Sequence, residues 1–93
     1  SAEAALQALQ DAPAEFDLLI TDEVMPGMTG TALARAARSL RPDLPIVLCS
    51  GYGGEDFAAR AMAAGVDLVL TKPLTTRALA LGLQRVLQPS LQP

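Results

Sequence analysis

The sequence predicts an α/β domain built on a parallel sheet, and three observations carry that expectation. Apolar runs of strand length recur at Leu18-Leu19-Ile20, Ile46-Val47-Leu48-Cys49 and Val66 to Thr71, separated by segments whose apolar residues return at helical spacing. Leu18-Leu19-Ile20 is apolar without alternation, as in strands of a parallel sheet covered on both faces. The apolar residues are mostly Ala, Leu and Val, with two Phe, one Tyr and no Trp, which suits thin helices packed on a sheet. Strand and helix in alternation then imply right-handed crossovers between parallel neighbours.

The elements follow in order. Ser1 is an N-cap, Glu3 favours a first turn, and Ala2, Ala5, Leu6 and Leu9 recur until Asp11-Ala12-Pro13, which predicts a helix over 2–11. Phe16 to Thr21 reads as a strand, closed by Asp22. After a Gly- and Pro-rich loop from Met25 to Gly30, the stripe Leu33, Ala36, Ala37 and Leu40 predicts a second helix, stopped by Pro42. Ile46 to Cys49 is the next strand, ending at Ser50 and the loop Gly51-Tyr52-Gly53-Gly54. Glu55 and Asp56 open a third helix with Ala58, Ala61 and Met62 on its stripe and Gly65 past its end. Val66 to Thr71 is the third strand, ended by Lys72-Pro73. Thr75 or Thr76 caps a last helix that turns Leu79, Leu83 and Val86 inward, where Gly82 costs about 1 kcal/mol against Ala unless it permits close packing. Residues 1–88 are thus one domain in the order α-β-α-β-α-β-α, and 89–93 are expected to be a disordered tail.

Composition narrows the function. Seven basic residues against ten acidic, with a net charge of -3 and only Arg35, Arg38 and Arg41 clustered, argue against a nucleic-acid surface. The apolar runs are too short to span a bilayer, and the N-terminal residues lack a signal-peptide pattern. Cys49, the single cysteine, cannot form an internal disulfide and suits a reducing cytoplasm as a small buried hydrophobe. The opening on a helical pattern, with no initiating Met, points to a fragment of something longer.

Three strand ends carry the chemistry. Asp22, Ser50 and Lys72 lie about one strand-helix repeat apart, so neighbouring strands bring them to the carboxyl end of one sheet, where ligands of open α/β sheets bind. An acid, a hydroxyl and an ammonium converging there suit phosphoryl transfer onto a carboxylate: Asp22 attacks phosphorus, while the amine and a divalent cation offset charge on the phosphoryl oxygens. Each alone has a plainer explanation, a turn aspartate, a loop-closing serine and a solvated lysine. Their coincidence favours the site.

With these residues in place, the chain resembles the receiver domain of two-component response regulators. Four passages carry the likeness: Phe16-Asp17-Leu18-Leu19-Ile20-Thr21-Asp22 with Met25-Pro26-Gly27-Met28-Thr29-Gly30, Pro45-Ile46-Val47-Leu48-Cys49-Ser50, Ala64-Gly65-Val66-Asp67, and Leu70-Thr71-Lys72-Pro73. The resemblance implies a flavodoxin-like, doubly wound parallel sheet in which Asp22 takes a phosphoryl group from the phosphohistidine of a histidine kinase or phosphotransfer domain, while Ser50 and Lys72 engage that group. It implies Mg²⁺ held by Asp22, by the Val24 carbonyl and by acids on a first strand; the family's order puts a strand, a helix and a second strand before Ser1, so the domain is read as N-terminally truncated and its Mg²⁺ binding as weak. By the same order the Leu18 to Ile20 strand becomes an edge, open to pairing with a second copy. Two further departures are Val69, where many members carry a switch aromatic, and Gly51, where alanine is usual; Tyr52 is the one loop aromatic. The Ser-Gly-Tyr loop mildly favours the C-terminal receiver of a hybrid sensor kinase as parent.

Three rivals stand beside this reading. A haloacid dehalogenase type of aspartyl-phosphate enzyme needs a second acid two residues after the nucleophile, where Val24 stands. A nucleotide-binding module could use Gly51-x-Gly53-Gly54, but that spacing fits neither the dinucleotide nor the P-loop pattern. The last is a protein-interaction remnant unable to load phosphate.

Overall fold

The computed structural model describes residues 1–51 and 53–87, so Tyr52 and the 89–93 tail lie outside the described residues. Helix α1 spans Ala2–Asp11, strand β1 Leu19–Asp22, α2 Gly30–Leu40, β2 Ile46–Ser50, α3 Glu55–Ala63, β3 Leu68–Thr71 and α4 Thr76–Leu87. The caps are those the sequence offers. The Ser1 hydroxyl accepts from the Ala4 N–H at 3.2 Å, that of Thr29 from Ala32 at 3.1 Å and that of Thr75 from Ala78 at 3.0 Å, each satisfying a donor the first helical turn leaves open.

Among the described residues the strands form one parallel sheet in the order β1-β2-β3, with Leu19 beside Ile46 and Leu48 beside Val69. Leu19, Ile46, Leu48 and Val69 belong to the main core, with Leu9 of α1, Ala34 and Ala37 of α2, and Phe57 and Ala61 of α3. The alternate residues Ile20, Val47, Cys49, Leu68 and Leu70 face the other way. There α4 lies so close that a Cβ on Gly82 would come within 2.8 Å of Leu68 Cδ2, which explains a glycine in mid-helix.

The structure corrects the expected elements at several points. Only β2 is buried throughout; β1 alternates, with Ile20 44% exposed, because β1 is the sheet's edge. β1 begins at Leu19 rather than Phe16, since Pro13–Glu15 forms a 3₁₀ turn and the first ladder bond runs from the Leu19 N–H to the Pro45 carbonyl. β3 begins at Leu68 rather than Val66, because Val66 closes α3: its N–H reaches the Ala61 carbonyl and that of Gly65 the Met62 carbonyl, a Schellman motif with Gly65 at φ +103°. On α2 the buried stripe uses Ala34 in place of Leu40, and on α3 it uses Phe57 while Met62 is exposed. No helix among the described residues is long and apolar enough to cross a membrane.

Candidate functional site

The register of the sheet builds the site as a staircase. Asp22 of β1 pairs with Cys49, Ser50 of β2 pairs with Thr71, and the Lys72 N–H bonds the Ser50 carbonyl at 2.7 Å, so each functional position stands beside the next at the carboxyl ends of the strands. Lys72 Nζ lies 2.8 Å from Asp22 Oδ1, and both side chains remain about half exposed. Ser50, on the strand between them, is buried. The Lys72–Pro73 peptide is cis. The pair therefore faces solvent from a floor of buried backbone, open to an incoming anion.

Two neighbours define the electrostatics. Burial pushes the Cys49 thiol up, the adjacent Asp22 charge adds to this and Lys72 offsets part of it, so the thiol stays protonated at neutral pH as a packing group. Glu23 follows Asp22 but turns away: its Oε1 accepts from the Thr31 N–H at 2.8 Å and from the Thr31 hydroxyl at 2.7 Å, at the start of α2. Strand alternation carried one residue past Asp22 accounts for that direction, but the Thr31 partner carries no sequence signal beyond being a threonine in a first turn. Gly30 lets α2 begin against the strand, since a Cβ there would stand 2.2 Å from the Asp22 carbonyl oxygen.

Mg²⁺ serves phosphorylation in receiver domains of the kind this site resembles, and the donors here can be tested against it. Among the described residues no group of three His, Cys, Asp or Glu side chains could hold a metal ion. The chain offers the Asp22 carboxylate, already paired with Lys72, and the carbonyl of exposed Val24, while Glu23 is committed to α2. That set does not complete the near-octahedral oxygen shell Mg²⁺ demands.

A parallel α/β sheet with an acid and a lysine paired across its carboxyl ends is the arrangement the resemblance implies for a receiver domain. The chain belongs to the response regulator receiver domain family, whose model matches residues 1–84. It is 46% identical over 79 residues to the response regulator protein FleR of Pseudomonas aeruginosa, covering 85% of this chain and 16% of that protein. It is 32% identical over 84 residues to the sensor kinase CckA of Brucella abortus, covering 90% of this chain and 9% of that one. The crystal structure of the chemotaxis protein CheY4 of Vibrio cholerae superposes with a TM-score of 0.82 at 32% identity, over 92% of this chain and 72% of that one. The chain thus spans a small part of these curated relatives, and it is a receiver domain of two-component signalling.

Proposed function

We propose that Asp22 is the phosphoacceptor, with Ser50 and Lys72 engaging the transferred group. The observation that carries this is the 2.8 Å pair of Lys72 Nζ and Asp22 Oδ1 at the carboxyl ends of the strands. Lys72 holds the carboxylate in place, so an Asp22 oxygen can attack phosphorus in line with the phosphohistidine nitrogen. The O–P bond forms as the N–P bond breaks, and the departing imidazole takes up a proton. The ammonium then shifts toward the phosphoryl oxygens, and the Ser50 hydroxyl donates to one of them. The donor is a histidine kinase or phosphotransfer domain, met in the cytoplasm; neither nucleic acid nor membrane is a partner of this segment.

Magnesium binding by this chain alone is weak, for want of donors. The half-exposed Ile20 and the β1 edge make self-association the expected state of the isolated chain, which light scattering checks: a stable monomer at high concentration would contradict it. The likeness to a sensor kinase keeps the hybrid-kinase parent in view beside the response-regulator one. The phosphoacceptor assignment is tested by intact mass after incubating the full-length protein with acetyl phosphate and Mg²⁺. Wild type should gain one phosphoryl group and Asp22→Asn none; loading that persists in the variant would place the site elsewhere, and no loading in either would favour the interaction-remnant reading.

A further inference from the structure

Helix α2 leaves four N–H groups to be satisfied at its start, and Glu23, the residue after β1, supplies two of the acceptors. The Gly30 N–H bonds the Glu23 carbonyl at 2.9 Å, and the Thr31 N–H bonds Glu23 Oε1 at 2.8 Å. The Thr29 hydroxyl takes a third, that of Ala32, and its carbonyl accepts the first bond of the helix proper, from Leu33. The Thr31 hydroxyl adds a third bond to Glu23, and the Glu23 N–H itself donates to the Cys49 carbonyl at 2.9 Å. Glu23 is thus bonded through its N–H, its carbonyl and its carboxylate, and it joins β2, β1 and α2 in one residue.

These bonds close the loop 24–29 at its base. That loop carries the Val24 carbonyl and begins two residues past Asp22, whose own carbonyl lies against Gly30. From this geometry we infer that Glu23 is a positioning residue for phosphorylation: its carboxylate caps α2 from the residue after β1 and so fixes the loop and the Asp22 backbone from which the nucleophile projects. The inference rests on Asp22 as the phosphoacceptor. A glutamate at this position also looks like a spare acid for the crevice, and the Thr31 bonds assign it the opposite task.

The role requires an acceptor oxygen rather than a negative charge, and this separates it from the alternatives. Glu23→Gln keeps an oxygen for the Thr31 donors and Glu23→Ala removes it. In the full-length protein, at a temperature where circular dichroism shows every variant folded, Glu23→Ala should load phosphate from acetyl phosphate roughly tenfold more slowly. Its Thr31 amide should exchange faster by a similar factor, and Glu23→Gln should restore most of both. Thr31→Val, which removes one of the two bonds to the carboxylate, should fall between, and it carries the test if Glu23→Ala does not fold. Loading at the wild-type rate in Glu23→Ala, or equal impairment in the Gln and Ala variants, would overturn the inference. Asp22→Asn, run in parallel, separates this outcome from a misplaced phosphoacceptor, since only the latter lets that variant load.

Discussion

The two ends of the same sheet use cations in opposite ways. At the carboxyl end, Lys72 meets one carboxylate oxygen of Asp22, and both groups are half in water. At the amino end, Arg38 of α2 is a tie: its Nε and Nη2 donate to the Gly65 carbonyl at 3.2 and 2.5 Å, Nη2 also to Asp67 Oδ2 at 2.9 Å, and Nη1 to the Pro42 carbonyl at 2.7 Å. Asp67 in turn accepts the Ile46 N–H at 2.8 Å, so α2, the α3–β3 turn and the start of β2 are joined. Arg41 repeats the pattern, donating to the carbonyls of Pro13 and Phe16 ahead of β1. A flexible ammonium that must let go of its partner serves the site, and planar guanidinium forks that must not serve the scaffold.

The comparison is sharpest in the substitutions of its two cations. Arg38→Ala should destabilise by about 2 to 3 kcal/mol, because Asp67 and the Gly65 and Pro42 carbonyls lose charged donors together. Lys72→Ala should cost no more than about 1 kcal/mol, the range of an exposed ion pair, while impairing phosphorylation-dependent behaviour. Urea unfolding of both variants checks the contrast. A Lys72→Ala loss as large as that of Arg38→Ala would make the site's ion pair a structural one and collapse the distinction.

Much of this was legible in the residues, and the rest was hidden for identifiable reasons. Helix α1 was found to the residue because Ser1 and the Ala-Leu spacing act locally, and Asp22 and Lys72 were brought together by counting strand-helix repeats. Burial of β1 was overstated, because an apolar run does not say which of its residues a helix will cover, and Ile20 of the edge strand stays 44% exposed. The buried face of α3 was misplaced for a related reason: Met62 fits the stripe as well as Phe57 does, and only the packing of Phe57 into the core chooses between them. The roles of Arg38 and of Thr31 rest on bonds to residues far along the chain, the Gly65 carbonyl and Asp67 in one case and Glu23 in the other, which no local pattern encodes.

The smallest expected effect lies at the scaffold end, where Asp43 pairs with Arg41 at 2.9 Å but stands in solvent. The hydrogen bond from Arg41 holds the Asp43 carboxyl below its usual value of 3.8, with its own backbone and the Arg41 charge helping. A carboxyl whose folded-state pKa is depressed binds fewer protons in the folded chain than in the unfolded one. Its contribution is therefore present above pH 3.8 and lost as pH falls through the lower, folded value. Asp43→Asn should unfold with wild type at the acid extreme and fall slightly behind it only above that range, by an amount near the resolution of urea midpoints. Midpoints measured across the acid limb check this. A gap that widened as the pH fell would reverse the sign, and a large gap at neutral pH would mean that Arg41 needs Asp43 to hold its bonds to Pro13 and Phe16, so that this exposed pair, unlike Lys72 with Asp22, is part of the scaffold.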